Sequence, residues 1–272
     1  MLSVKETQDI ALNIMLQIHL FCEREGLVYC MTYGTLIGAV RHKGFIPWDN
    51  DVDIIMPRPD FERLLEIEKE RKIGPALQCL HYSNDVRYHY QVIRVCDTRT
   101  KVIPDYIREQ PSDMGIWVDI FPADGVPESI FDQPMQQLKL WFNKWVQLGD
   151  IYAVPLSKAP NKSLKGIFNN ITKNAVHLLF PGKNNVHNYR IDQAASAFAY
   201  NRYAHVADTI ERQKPLFLTH EDFDQRVLMP FEQYAFYGPK NWDSYLRRFY
   251  GDYMQLPPVE KRMTHNINAE WK

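Results

Sequence analysis

Residues 46–55 read IPWDNDVDII, and in this otherwise apolar run acid falls at every second position: Asp49, Asp51 and Asp53. A β-strand alternates its side chains between two faces, so the three carboxylates would share one face in steps of about 6.7 Å. Neighbouring like charges at that spacing repel by roughly 2–3 kcal/mol at an effective dielectric near 20. Either the strand is a solvated edge, or cations sit against it. Asn50 falls on the opposite face and takes no part.

On the amino-terminal side, residues 33–44 read YGTLIGAVRHKG. Gly34 breaks the chain between a strand and a short helix, with Thr35 near the helix start and Gly44 beyond its end. Exposed N–H groups at such a start can hold a phosphate. Arg41 and Lys43 lie close to the acids in sequence, either as solvated surface or as counter-charges for phosphate. Before them, residues 27–33 (LVYCMTY) predict a short buried strand. Residues 5–25 predict a helix with Ile10, Ile14, Ile18 and Phe21 on one stripe and Gly26 as its stop. After the acids, Pro57 and Pro59 end the strand, and residues 60–72 predict a surface helix.

A fourth carboxylate stands out. Asp119 sits in GIWVDIFP, between Trp117, Val118, Ile120 and Phe121, where burial without a partner is costly. It is either a strand-end turn former or a member of a site. A D-x-D pair on one strand with a further Asp on another suits magnesium, which takes oxygen ligands, and two-metal phosphoryl chemistry.

The pattern from 77 to 122 is otherwise strand-like (LQCLHY, RYHYQVIRVCD, TKVIPDY, GIWVDIFP), with no ten-residue helices between most segments. This predicts an α+β fold on a mixed sheet rather than a doubly wound parallel one. Beyond Pro127, residues 135–152, 193–204 and 240–253 carry helical periodicity. The expected division is a core over 1–127 and a mainly helical region over 128–272, packed together without a clean linker.

The chain has 272 residues, 45% of them hydrophobic, and its 32 basic and 33 acidic side chains nearly cancel, so nothing points to nucleic acid. No run approaches the ~18 apolar residues that span a bilayer. The first 21 residues read as an amphipathic helix rather than a signal peptide, which leads to an expected cytoplasmic location. Four cysteines without C-x-x-C spacing argue against a disulfide scaffold or structural zinc. Residues 151–191 hold five Lys and one Arg but no Asp or Glu. The stripe Leu164, Ile167, Phe168, Ile171, Ala175, Leu178, Leu179 predicts either a helix packed on the core with a basic outer face, or peripheral membrane contact through 155–180.

The run YGTLIGAVRHKGFIPWDNDVDIIMPR (33–58) resembles the signature of the LicD family, within the nucleotidyltransferase-fold superfamily. VDIFPADGVP (118–127) and FYGDYMQLPPVEKRMTH (249–265) are similar to that family's later blocks. The resemblance implies a nucleotidyltransferase-like sheet with Asp51, Asp53 and Asp119 as catalytic carboxylates and ligands of one or two Mg²⁺ ions, Mn²⁺ being a substitute. Asp119 would complete the metal site or take the attacking hydroxyl's proton. Asp49 would orient a metal-bound water or a substrate hydroxyl, and Gly34 and Thr35 would cradle the donor diphosphate. Arg41 and Lys43 would neutralise phosphate, and Asp252, Arg262 and His265 would reach the pocket from the last block. It further implies phosphocholine transfer from CDP-choline, or from another CDP-alcohol such as CDP-ribitol. The acceptor would be a sugar hydroxyl of a glycopolymer (teichoic acid or similar) or a lipid-linked saccharide, with release of CMP. Tyr88, Tyr90, Tyr250 and Tyr253 could meet a choline cation or simply pack in the core.

Two rival classes stay open. A GT-A glycosyltransferase also uses D-x-D, but usually places a nucleotide-binding α/β half before it, and only 48 residues precede Asp49 here. A non-catalytic metal- or nucleotide-binding module would leave Asp119 without a role.

Overall fold

The computed structural model describes residues 1–102, 114–152, 164–179, 184–210, 218–262 and 268–272. Helix α1 (Val4–Glu25) opens with a capping box: the Ser3 hydroxyl accepts the Glu6 N–H, and the Ser3 N–H donates to the Glu6 carboxylate. It stops at Gly26, whose φ of 64° is left-handed. Its stripe of Ile10, Ile14, Ile18 and Phe21 is buried, so the helix is held by apolar burial at about 2 kcal/mol per side chain.

Strand β1 (Cys30–Met31) is shorter than the predicted 27–33 run, because Tyr33 already begins helix α2 (Tyr33–Arg41). Strand β2 (Asp53–Pro57) carries the acidic stretch into the sheet, and helix α3 (Arg58–Glu70) follows from Pro59 in its first turn. Then come β3 (Leu77–Leu80), β4 (Ile93–Asp97), β5 (Thr100–Val102) and β6 (Trp117–Gly125). Only the last five residues of the predicted strand 87–97 pair, and residues 103–106 of the predicted 100–106 strand lie outside the described residues.

These strands make a mixed sheet of order β1-β2-β6-β4-β3. The β2–β6 pair is parallel and the other pairings are antiparallel, as expected for an α+β fold. The β2–β6 crossover contains α3, which packs on both strands, while α1 lies against β4 and β6. The sheet continues past the expected core boundary. β7 (His205–Ala207) pairs with the far end of β6, and β8 (Leu218–Thr219) pairs with β7.

Helices α4 (Asp132–Tyr152), α5 (Leu164–Leu179) and α6 (Asn184–Ala195) form a layer in which α4 packs on both others. The predicted helix over 193–204 ends at Ala195 and resumes only as a 3-10 turn, Tyr200–Arg202. Arg58 ties this layer to the sheet. It donates Nε and Nη2 to Asp124 of β6, both at 2.7 Å, and Nη1 to Asp192 of α6 at 2.9 Å. Burial opposes its charge, but the two carboxylates outweigh that and hold its pKa above the ordinary value.

The carboxy-terminal part adds α7 (His220–Asp224), a hairpin of β9 (Val227–Phe231) and β10 (Tyr234–Gly238), α8 (Trp242–Tyr250), and β11 (Ala269–Trp271), which pairs with β5. The hairpin turns at Glu232, with φ 52°, a residue that carries no turn signal in sequence. In α5 the described part of the apolar stripe is not packed. Phe168, Ile171, Leu178 and Leu179 are exposed while Asn170 is buried, which corrects the expectation of a helix docked on the core with a basic outer face. Residues 155–163 and 180 of the predicted 155–180 contact lie outside the described residues.

Candidate active site

Asp53 and Asp119 are direct partners in the parallel β2–β6 ladder, and Asp119 is in turn the partner of Arg94 in the antiparallel β4–β6 ladder. Paired residues of a ladder point to the same face. The sheet therefore presents a row of carboxylate, carboxylate and guanidinium across three adjacent strands, spaced by about 4.8 Å per strand. The Asp119 N–H donates to the Val52 carbonyl at 2.9 Å, so the pairing begins ahead of Asp53.

The acidic run is only partly a strand. β2 starts at Asp53, and Asp49 and Asp51 precede it. The alternation nevertheless persists in burial: Asp49, Asp51 and Asp53 are half-buried, while Asn50 and Val52 are buried. The Thr35 hydroxyl accepts the Asp53 N–H at 2.8 Å, so α2 fixes the point where the acidic strand enters the sheet. Gly34 packs against the acids from the same helix. A Cβ there would meet Asp49 Oδ2 at 2.9 Å, so any other residue would push the Asp49 carboxylate aside.

The start of α2 is a second element of the site. Its N-cap residue, Thr32, makes no side-chain cap; its hydroxyl instead bonds the Tyr245 hydroxyl of α8 at 2.7 Å. The Thr32 side chain therefore does not cap α2, whose first turn lies beside Asp49; N–H groups at a helix start are receptive to anions.

Arg94 has the most constrained environment of the site. Its Nε donates to Asp119 Oδ1 at 2.7 Å, and its guanidinium lies 4.3 Å from the Trp117 ring centroid and 4.5 Å from that of Tyr90. The Trp117 indole N–H donates to Asp119 Oδ2 at 2.8 Å. Burial disfavours the guanidinium charge, yet Asp119 more than offsets it and raises the pKa above the ordinary arginine value. Both Asp119 oxygens are engaged, leaving about two of the four lone-pair positions of a carboxylate.

A cavity of about 410 Å³ opens beside Trp48, the residue before Asp49, and is lined by Ile37, Arg41, Ile46, Trp48, Asp252 and Tyr253 among others. Arg41 donates to the Tyr253 carbonyl at 2.8 Å. Burial and the nearby Arg262 lower its pKa. Arg262 lies 4.7 Å over the Trp48 ring. Among the described residues neither guanidinium forms an ion pair, and both stand near this cavity together with the carboxylate of Asp252. Trp48, next to Asp49, joins the cavity to the acidic run.

Gly34, Thr35, Asp49, Asp53 and Asp119 therefore come together, with the half-buried Asp51 two residues before Asp53. Arg41, Asp252 and Arg262 gather around the neighbouring cavity. Lys43 stands apart: it is exposed, with φ 60°, and its carbonyl accepts the Glu232 N–H of the hairpin turn. His265 lies outside the described residues. Sequence reasoning missed Arg94 and its clamp of Tyr90 and Trp117. The signal was there, a lone Arg in the apolar run VIRVC that mirrors the lone Asp in WVDIF.

The donor set suits a hard divalent cation. All four carboxylates offer oxygen, and Asp51 and Asp53 would hold the ion with Asp119 beside them. In this conformation no three His, Cys, Asp or Glu side chains among the described residues gather closely enough to hold a metal ion. The fit is one of chemistry and placement, not of a closed cage.

A sheet with one parallel pair, acids where β2 enters it and a helix start beside them is the arrangement expected of a nucleotidyltransferase-like core. Residues 26–165 match the family described as LicD/FKTN/FKRP, nucleotidyltransferase domain, and the chain belongs to that family. It is similar along nearly its whole length to the lipopolysaccharide cholinephosphotransferase LicD of Haemophilus influenzae, with 29% identity over 286 aligned residues covering 99% of this chain and 98% of that one. Partial similarity extends to two uncharacterized rickettsial proteins. RP689 of Rickettsia prowazekii is 28% identical over 47% of this chain and 44% of its own length, and RT0683 of Rickettsia typhi is 30% identical over 44% and 37%.

Proposed function

We propose that the protein is a Mg²⁺-dependent transferase that moves phosphocholine from CDP-choline to a sugar hydroxyl of a cell-surface glycopolymer, teichoic acid or similar, releasing CMP on the cytoplasmic side. The observation that carries this reading is the in-register pairing of Asp53 with Asp119 beside the start of α2. The full-length similarity to a lipopolysaccharide cholinephosphotransferase supports the choice of phosphocholine and of a glycan acceptor.

When bound at Asp51 and Asp53, Mg²⁺ would neutralise charge on the diphosphate. The remaining work belongs to the chain. The N–H groups at the start of α2, approached closely because residue 34 is glycine, receive phosphate oxygens. Thr35 keeps Asp53 at its station through the backbone bond. Asp119, oriented by Arg94 and Trp117, takes the acceptor hydroxyl or its proton. Asp49 orients a water or a substrate hydroxyl. Arg41 and Arg262 offset phosphate charge from the cavity side, with Asp252 at its rim. Catalysis is then positioning and electrostatics without a covalent nucleophile.

The test is incubation with Mg²⁺ and, in parallel, CDP-choline, CDP-ribitol or a UDP-sugar, with and without a glycan acceptor. Acceptor-dependent CMP from CDP-choline is the expected result. CMP from CDP-ribitol alone would replace the donor. UDP release would move the protein to the glycosyltransferases, and binding without turnover would make it a module.

A further inference from the structure

Helix α4 is apolar on both sides. The side that meets the protein buries Leu140 and Val146 together with two glutamines. Gln136 donates to the Ala194 and Ala195 carbonyls, and Gln147 donates to the His89 carbonyl and to the Asn188 side chain. The opposite side, at spacings of three and four residues, is apolar and exposed: Leu138, Trp141 and Trp145 are 56%, 55% and 41% exposed. Helix α5, packed alongside, repeats the pattern, with Asn170 and Val176 buried while Phe168 and Leu178 are 66% and 78% exposed. With aromatic side chains of roughly 150–250 Å² each, the two outer faces expose on the order of 1,000 Å². The largest apolar patch on an ordinary soluble monomer is ~300–600 Å².

We infer that the outer faces of α4 and α5 form a platform that lies in the interface of an anionic lipid bilayer. Charge selects this occupant. Residues 151–191, which include α5, carry five Lys and one Arg with no Asp or Glu. Within the segment α5 itself carries Lys165 and Lys173 and no acid; a two-fold contact with a second copy would set like charges against each other, whereas an anionic lipid surface attracts them. The composition agrees, since Trp and Phe with flanking Lys are the side chains of in-plane helices. No helix among the described residues is long and apolar enough to cross a membrane, so the contact is peripheral. The platform goes beyond the proposed chemistry and is independent of it, because vesicle binding is read without donor or acceptor.

The experiment is flotation of the full chain with vesicles of phosphatidylcholine alone or mixed with equal phosphatidylglycerol, at low and high salt. The Trp fluorescence of the wild type is followed in the same vesicles made with brominated lipid. Binding to the anionic vesicles that weakens with salt, together with quenching by the brominated chains, is expected. The double variant W141D/W145D should partition at least ~10-fold less, whereas Leu20→Asp on exposed α1 surface should partition like wild type. Folding of each variant is checked by thermal melting. Absence of wild-type binding or quenching overturns the inference, as does binding indifferent to lipid charge. Undiminished binding of the folded double variant also overturns it. So does a dimer in solution that the same two substitutions dissociate, since the face then belongs to a second copy.

Discussion

Asp119 is gripped on both oxygens, by the Arg94 guanidinium at 2.7 Å and the Trp117 indole at 2.8 Å, and stands opposite Asp53 in the sheet. The chain thus organises its third carboxylate with its own cation rather than leaving it to a ligand.

Removing that cation should be costly. Arg94→Met leaves Asp119 charged and half-buried without its partner, a change that typically destabilises by about 3–5 kcal/mol. Arg94→Lys should recover only part of this, because an ammonium cannot fill the flat slot between Tyr90 and Trp117. Denaturant unfolding of both variants checks the order. In the background of Asp119→Asn the Arg94→Met penalty should shrink clearly, and equal penalties in the two backgrounds would refute the coupling.

Thr35 reaches the site through the backbone. Thr35→Val removes the acceptor of the Asp53 N–H and should cost roughly 1–3 kcal/mol, while Thr35→Ser should retain most of the stability. Gly34→Ala makes a different statement. The added methyl meets the movable end of Asp49, so the fold should tolerate it at under about 1 kcal/mol, whereas CMP release should fall sharply because Asp49 is displaced.

Metal should be visible without turnover. Mg²⁺ at ten times its dissociation constant stabilises by about 1.4 kcal/mol, a rise of roughly 3–5 °C in Tm. Asp51→Asn should abolish that rise and, by removing one repelling charge, raise the Tm of the metal-free protein. A metal-free Tm lowered by Asp51→Asn would show a structural role instead.

His81 sets a pH limit on stability. Burial beside Phe61 and Tyr82 pushes its pKa from 6.5 down to about 4, with Asp192 opposing and Arg58 reinforcing the shift. Because the folded value is depressed, its contribution is complete above pH 6.5 and is lost as pH falls toward 4, by roughly 3 kcal/mol in all. Comparing His81→Gln with the parent between pH 7 and 4 should show a flatter curve for the variant. Parallel curves would exclude His81 as the source.

How much of this was legible in sequence follows from what each signal depends on. α1 could be read because its stripe and its Gly26 stop are local, and the acidic cluster because charge in an apolar run is locally anomalous. The β9–β10 hairpin was not legible, since Glu232 and Gln233 form a turn without Gly, Asn or Asp. Arg94 acquires its meaning only from the register of β4 against β6, which no local pattern encodes. Periodicity revealed the stripe of α5 but not which side meets the protein, and there the buried Asn170 decides.

The most direct test of the central claim is acceptor-dependent CMP release from CDP-choline with Mg²⁺, measured on the wild type, Asp53→Ala and Asp119→Ala with folding verified for each. The account predicts a loss of ~100-fold or more in kcat for both variants. Turnover by folded Asp53→Ala at the rate of the unaltered protein would contradict it.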